Sequence, residues 1–88
     1  MTANIPLTDE LRLRHLTTDE ALLKLQKYLH DAFMAGFLEV RIIHGKGTGT
    51  LRELVRKELL HHPLVKAHRP GGYGEGGAGV TVVRLADK

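Results

Sequence analysis

The chain predicts a two-layer α/β sandwich of order β-α-β-α-β-β, in which both helices cover one face of a four-stranded mixed sheet. Two amphipathic stripes at helical spacing, each opened by a capping-box pattern, supply the helices. Short alternating or β-branched runs before, between and after them supply the strands. A stretch with six glycines in ten residues, Pro70 to Gly79, separates the last two strands and lets them pair as neighbours.

Taken in order, residues 1–9 lack periodicity and are expected to form a flexible tail to a single domain over 10–86. Leu11-Arg12-Leu13-Arg14 alternates apolar and basic residues, as a strand with one buried face does. Thr17 and Glu20 form a capping box, after which Leu22, Leu25, Leu29, Ala32 and Phe33 make one apolar stripe that Gly36 ends. Leu38 to Ile43 is the second strand. Thr50 and Glu53 repeat the capping pattern, and Leu51, Leu54, Val55 and Leu59 line the second helix until Pro63 stops it. Leu64 to Arg69 alternates again, Pro70 to Gly79 is expected to be a mobile loop, and Val80 to Leu85 is the final strand.

Composition limits what such a domain does. With 88 residues there is room for one core, and with two Phe, two Tyr and no Trp that core is aliphatic. Cysteine is absent, which removes disulfides, thiolate nucleophiles and zinc–thiolate sites. No apolar run reaches the length of a membrane span, and the first ten residues lack a signal-peptide core. A cytoplasmic monomer without membrane contact is the expectation. Charge is uneven: residues 1–36 hold four Lys/Arg against five Asp/Glu, and residues 37–88 hold nine against five. A polyanionic partner fits that basic second part.

The strongest local signal is His44-Gly45-Lys46-Gly47-Thr48-Gly49, at the handover from the second strand to the second helix. Glycines there allow close backbone approach to a ligand, and the helix N-terminus beyond them attracts phosphate. The segment is neither a P-loop nor the dinucleotide fingerprint, because the spacings differ. His44 adds a titratable ring and Lys46 a fixed cation, so both are candidate catalytic residues, together with Arg14. If Leu11, Leu13, Val40, Ile42, Val65 and Ala67 face the helices, then Arg12, Arg14, Glu39, Arg41, Lys66 and His68 share the opposite face, with Arg84. That face would be strongly positive and suited to a phosphodiester backbone. The candidate nucleic-acid contacts are Arg12, Arg14, His15, Arg41, Gly45, Lys46, Gly47, Thr48, Gly49 and Lys66. No cofactor is evident from the residues, and a divalent metal requirement is left open. His61 and His62 sit at a helix end, where imidazolium complements the dipole.

Three blocks together resemble the small MutS-related (Smr) domain, over about Leu11 to Leu85. They are Val40 to Gly49, with the His-Gly-x-Gly signature; His62-Pro63-Leu64-Val65; and Gly76-Gly77-Ala78-Gly79-Val80-Thr81. The resemblance is to the arginine-bearing subtype found at the end of a bacterial MutS-paralogue ATPase. It implies nicking or cleavage of DNA or RNA in recombination and repair or RNA quality control. A non-catalytic module that binds nucleic acid or a ribosome is the alternative. In this family the first strand usually reads Leu-Asp-Leu-His/Arg-Gly, whereas here it is Leu11-Arg12-Leu13-Arg14-His15. Arg14 matches, Arg12 stands for the aspartate implicated in cleavage, and His15 stands for the glycine. A further reading, from the glycine turn alone, is a regulatory domain for a phosphorylated metabolite.

Overall fold

The computed structural model describes residues 7–87. Its elements are β1 (Glu10–Arg12), α1 (Thr18–Met34), β2 (Glu39–Ile43), α2 (Thr50–Leu60), β3 (Val65–Pro70) and β4 (Val80–Leu85). The strands are ordered β1-β2-β4-β3. β1 runs parallel to β2, and β4 is antiparallel to both β2 and β3. The expected β-α-β-α-β-β sandwich is therefore the fold, with the last strand inserted at the centre of the sheet.

Local chemistry explains both helices. The Thr17 side chain accepts from the Glu20 amide at 3.2 Å, and the Glu20 carboxylate accepts from the Thr17 amide at 2.9 Å. That reciprocal pair opens α1. Gly36, at φ +86°, ends it. The second capping box does not form. Gly49, left-handed at φ +87°, precedes α2 without a side-chain cap, and Glu53 faces Arg56 at 3.7 Å instead. The Thr50 hydroxyl bonds that of Thr48 at 2.9 Å.

One aliphatic core joins the layers. Leu11, Leu13, Val40, Ile42, Val83 and Leu85 meet Ala21, Leu25, Leu29 and Ala32 of α1 and Val55 and Leu59 of α2. Each buried leucine is worth about 1.5–3 kcal/mol relative to exposure. Tyr28 is the aromatic member; its hydroxyl donates to the Thr8 carbonyl at 2.6 Å, and burial pushes its pKa up. The Asp9 carbonyl accepts from the Arg41 amide at 2.8 Å. Residues 8 and 9 thus join the domain rather than a tail, while residues 1–6 of the expected tail lie outside the described residues.

The far face of the sheet departs from expectation in three ways. First, a β-bulge between Val65 and Ala67 adds one residue to β3 and reverses its alternation. Ala67 then pairs with Arg84 on the far face, while His68 pairs with the core residue Val83. Second, the face is nearly balanced in charge. Glu10 lies opposite Arg41 and pairs with it at 3.8 Å, Glu39 lies opposite Arg84, and Arg69 is held by Glu75. Third, one end of it is covered. The Gly71–Gly79 loop folds back over Val80, which is 6% exposed, and a side chain on Gly76 would collide with the Val80 methyl Cγ2.

That loop is tied down rather than free. The Arg69 guanidinium donates to both Glu75 carboxylate oxygens, at 2.7 and 2.9 Å, and the Gly72 amide donates to the same carboxylate at 2.8 Å. These bonds hold the Glu75 carboxyl down to about 2. A 3-10 turn at Gly77–Gly79 then feeds β4.

Candidate functional site

The exits of the two parallel strands and the start of α2 converge at one end of the sheet. Ligands in open α/β sheets gather at such carboxyl ends. β1 leads to Arg14 and His15, β2 to His44 and the glycine turn, and α2 begins at Thr50. Leu13 donates its amide to the Ile43 carbonyl at 2.8 Å, which carries the strand pairing one residue past β1 and fixes Arg14 beside the turn. A Cβ built on Gly45 would lie 3.4 Å from the Arg14 side chain. The guanidinium stem therefore packs on bare backbone.

Inside the turn, backbone groups divide into used and unused. The His44 and Gly45 amides both donate to the Gly79 carbonyl, at 3.0 and 2.9 Å. Among the described residues, the amides of Lys46, Gly47, Thr48 and Gly49 have no protein acceptor, nor do those of Leu51 and Arg52 in the first turn of α2. Gly45 at φ +79°, Gly47 at +23° and Gly49 at +87° bend the chain as no ordinary side chain would allow at three alternate positions. Unpaired amides in alternating curvature at a helix start form an anion-binding concavity.

A cleft of about 280 Å³ lies against these amides. Arg14, Lys46 and Arg52 supply three fixed cations to its lining, and no carboxylate among the described residues faces it. None of the three forms an ion pair among the described residues. The balanced far face and this cleft together relocate the positive field. It belongs to the strand ends, not to the sheet surface. A second cleft of about 650 Å³ shares Arg14, Gly45, Lys46 and Gly47, and is closed on its other side by Gly74, Glu75 and Gly76.

His44 is 4% exposed and fully engaged. Its Nδ1 lies 2.9 Å from the Gly45 carbonyl, which only accepts, so Nδ1 carries the proton. In the neutral ring the Thr81 hydroxyl then donates to Nε2, at 2.9 Å. Burial lowers the His44 pKa, the Gly45 bond opposes that, and the Arg52 charge adds to the lowering. The imidazole faces its own protein, whereas His15 is exposed and lines the cleft. His15 also carries a left-handed backbone at φ +68°, found in no other non-glycine described residue.

The residues expected at the site do not all reach it. Arg14, His15, Gly45, Lys46, Gly47, Thr48 and Gly49 line the first cleft, and Arg41 lines the second. Arg12 shares the far face opposite Ile43 and lines neither. Lys66 sits in the bulge at the other end of β3, about 13 Å along the strand from Pro70. Arg52, which the sequence does not single out, completes the cleft. Its place in the first turn, three residues after Gly49, was the available signal.

A family model described as the Smr domain matches residues 11–86. The chain belongs to the Smr domain family. Similar proteins include Endonuclease MutS2 of Pelotomaculum thermopropionicum, 55% identical over 91% of this chain. Endonuclease MutS2 of Halalkalibacterium halodurans is 57% identical over 86% of it. This Smr chain spans about a tenth of the length of each of those two relatives. Among solved structures, the Smr domain of Thermus thermophilus MutS2 superposes with a TM-score of 0.85 at 44% identity, covering 88% of this chain and 96% of that one. YdaL, a stand-alone small MutS-related protein from Escherichia coli, gives 0.82 at 28% identity, covering 91% of this chain and 66% of the other. No helix among the described residues is long and apolar enough to cross a membrane.

Proposed function

We propose that this Smr domain binds the phosphodiester backbone of nucleic acid in the cleft between Arg14, Lys46 and Arg52. The observation that carries this reading is the conjunction, among the described residues, of unpaired turn amides with three unpaired cations and no carboxylate. Phosphate oxygens satisfy both sets of groups at once. A single phosphorylated metabolite would engage the same amides, and the salt dependence of binding separates it from a polymer. The test is affinity for DNA and RNA as a function of salt. Arg14→Ala, Lys46→Ala and Arg52→Ala each lower the salt slope by about one, and Lys66→Ala leaves it unchanged. Equal slopes in all four variants overturn the reading.

Phosphodiester cleavage at the same place is a second reading, favoured by relatives that bear the name endonuclease. Hydrolysis adds water across a P–O bond, and its transition state places charge on the phosphoryl oxygens. Arg14, Lys46 and the amides of Gly47 and Thr48 are set to stabilise that charge. His44, enclosed and neutral, acts by holding the turn rather than by moving protons, and His15 is the imidazole open to a reacting group. Nicking of supercoiled plasmid or labelled RNA that disappears in Arg14→Ala while binding is largely kept supports cleavage. No nicking of either polymer by the unaltered domain removes this second reading and leaves binding.

A further inference from the structure

The glycine-rich loop carries an aromatic ring that the core does not use. Tyr73 is fully exposed, whereas the chain's other tyrosine, Tyr28, is buried with its hydroxyl bonded. Glycines flank Tyr73 on both sides, and the exposure leaves both ring faces bare. A ring on a floppy loop would mean little. This loop is fixed: beyond the Glu75 anchor described above, the Glu75 amide donates to the Gly72 carbonyl at 3.0 Å and the Gly71 amide to Val80 at 2.8 Å. Rigid support cuts the entropy lost when an aromatic group binds.

Position adds the second argument. Gly74, next to Tyr73, walls the second cleft with Gly76, Arg41, Glu10 and Glu75, and Lys46 and Gly47 on its other side also wall the first; Tyr73 stands outside both. A strand with a phosphate among the turn amides that continued over the Lys46–Gly47 ridge would reach the cleft beside the tyrosine loop. We propose that Tyr73 stacks on an unpaired base of that strand, which makes single-stranded nucleic acid the preferred ligand of this domain. The inference rests on the backbone-binding reading above. In a duplex the base faces are already stacked, so the ring has nothing to gain there. Cationic grooves interleaved with aromatic rings are how single strands are held without sequence readout.

The chain has no tryptophan, so Tyr73→Trp installs a unique fluorophore. Its emission is titrated with a single-stranded oligonucleotide, an abasic strand of the same length, and a duplex. We expect quenching by the base-bearing strand alone. Tyr73→Ala lowers affinity for that strand by about 5- to 150-fold and leaves the abasic strand within twofold, while Tyr73→Phe keeps wild-type affinity. Equal binding of the base-bearing strand by Tyr73→Ala and wild type overturns stacking, as does an equal loss on the abasic strand. Either result leaves backbone binding standing. Failure of the unaltered domain to bind any of the three polymers overturns both readings.

Discussion

Nε2 of His44 lies 2.9 Å from the Thr81 hydroxyl, a buried bridge between the exit of β2 and its antiparallel neighbour β4. The signature histidine is thereby a structural clamp on the turn it introduces. His44→Ala leaves the Thr81 hydroxyl buried without a partner, and we expect a loss of about 1–3 kcal/mol. Thr81→Val strands the imidazole instead, and the double variant loses less than the two singles summed. Urea denaturation of the four proteins measures the coupling.

The same residue makes stability depend on pH. Its folded pKa lies below the ordinary value of 6.5, so the unfolded chain binds the extra proton first. Its contribution is complete above 6.5 and is lost as pH falls through the folded pKa. Denaturation midpoints of the wild type should decline in that window more steeply than those of His44→Gln. Parallel declines would place the pH sensitivity elsewhere.

His15 occupies backbone space that suits glycine, at φ +68°. His15→Gly removes a strain of about 1–2 kcal/mol, part of which returns as chain entropy in the unfolded state. A net gain of roughly 0.5–1 kcal/mol, read as a higher melting temperature, is expected. Affinity for nucleic acid should fall at the same time, because the cleft loses a lining side chain. A variant that is both less stable and unchanged in affinity contradicts this account.

Glu75 has a folded pKa of about 2 against an ordinary 4.5, through the Arg69 side chain first and the Gly72 amide next. The loop anchor is therefore present above 4.5 and released as pH falls through about 2. Carboxyl carbon shifts in the NMR spectrum follow it directly. In Arg69→Met the midpoint moves up toward 4.5, and the Tyr73 loop gains disorder.

Gly76→Ala should be the most damaging single-methyl change in the loop. Its backbone is left-handed at φ +102°, and the new Cβ meets Val80 Cγ2. Gly47 has φ +23° and open space around it, so Gly47→Ala strains backbone without collision. We expect a loss of about 2 kcal/mol or more for Gly76→Ala and roughly 1 for Gly47→Ala, by thermal denaturation.

Much of this was readable from local signals that act within a few residues. The Thr17–Glu20 box, the leucine stripe of α1, the glycine turn and the pairing of the last two strands each report on their own neighbourhood. What escaped was set by distant partners. A bulge at Lys66 is invisible until β4 fixes the register, and it alone decides that His68 faces inward. The match of Glu10 to Arg41 depends on how β1 slides along β2, and the hold of Arg69 on Glu75 on how the loop folds back. A positive sheet face follows from the alternation alone until Glu10 and Glu75 find their partners. Arg52 escapes a reading of the sequence for the same reason, as its surroundings come from Arg14 and Lys46.

Strand order has a consequence for biogenesis. β4, the last strand in sequence, lies between β2 and β3 and carries the Gly79 carbonyl neighbourhood that receives two turn amides. During vectorial synthesis a ribosome would expose both helices and three strands with no means of joining β2 to β3. Only when residues near 85 clear the exit tunnel does the gap fill, the turn lock and the anion cradle take shape. A nascent chain stalled short of that point would hold every cation of the cleft and have nowhere to put a phosphate.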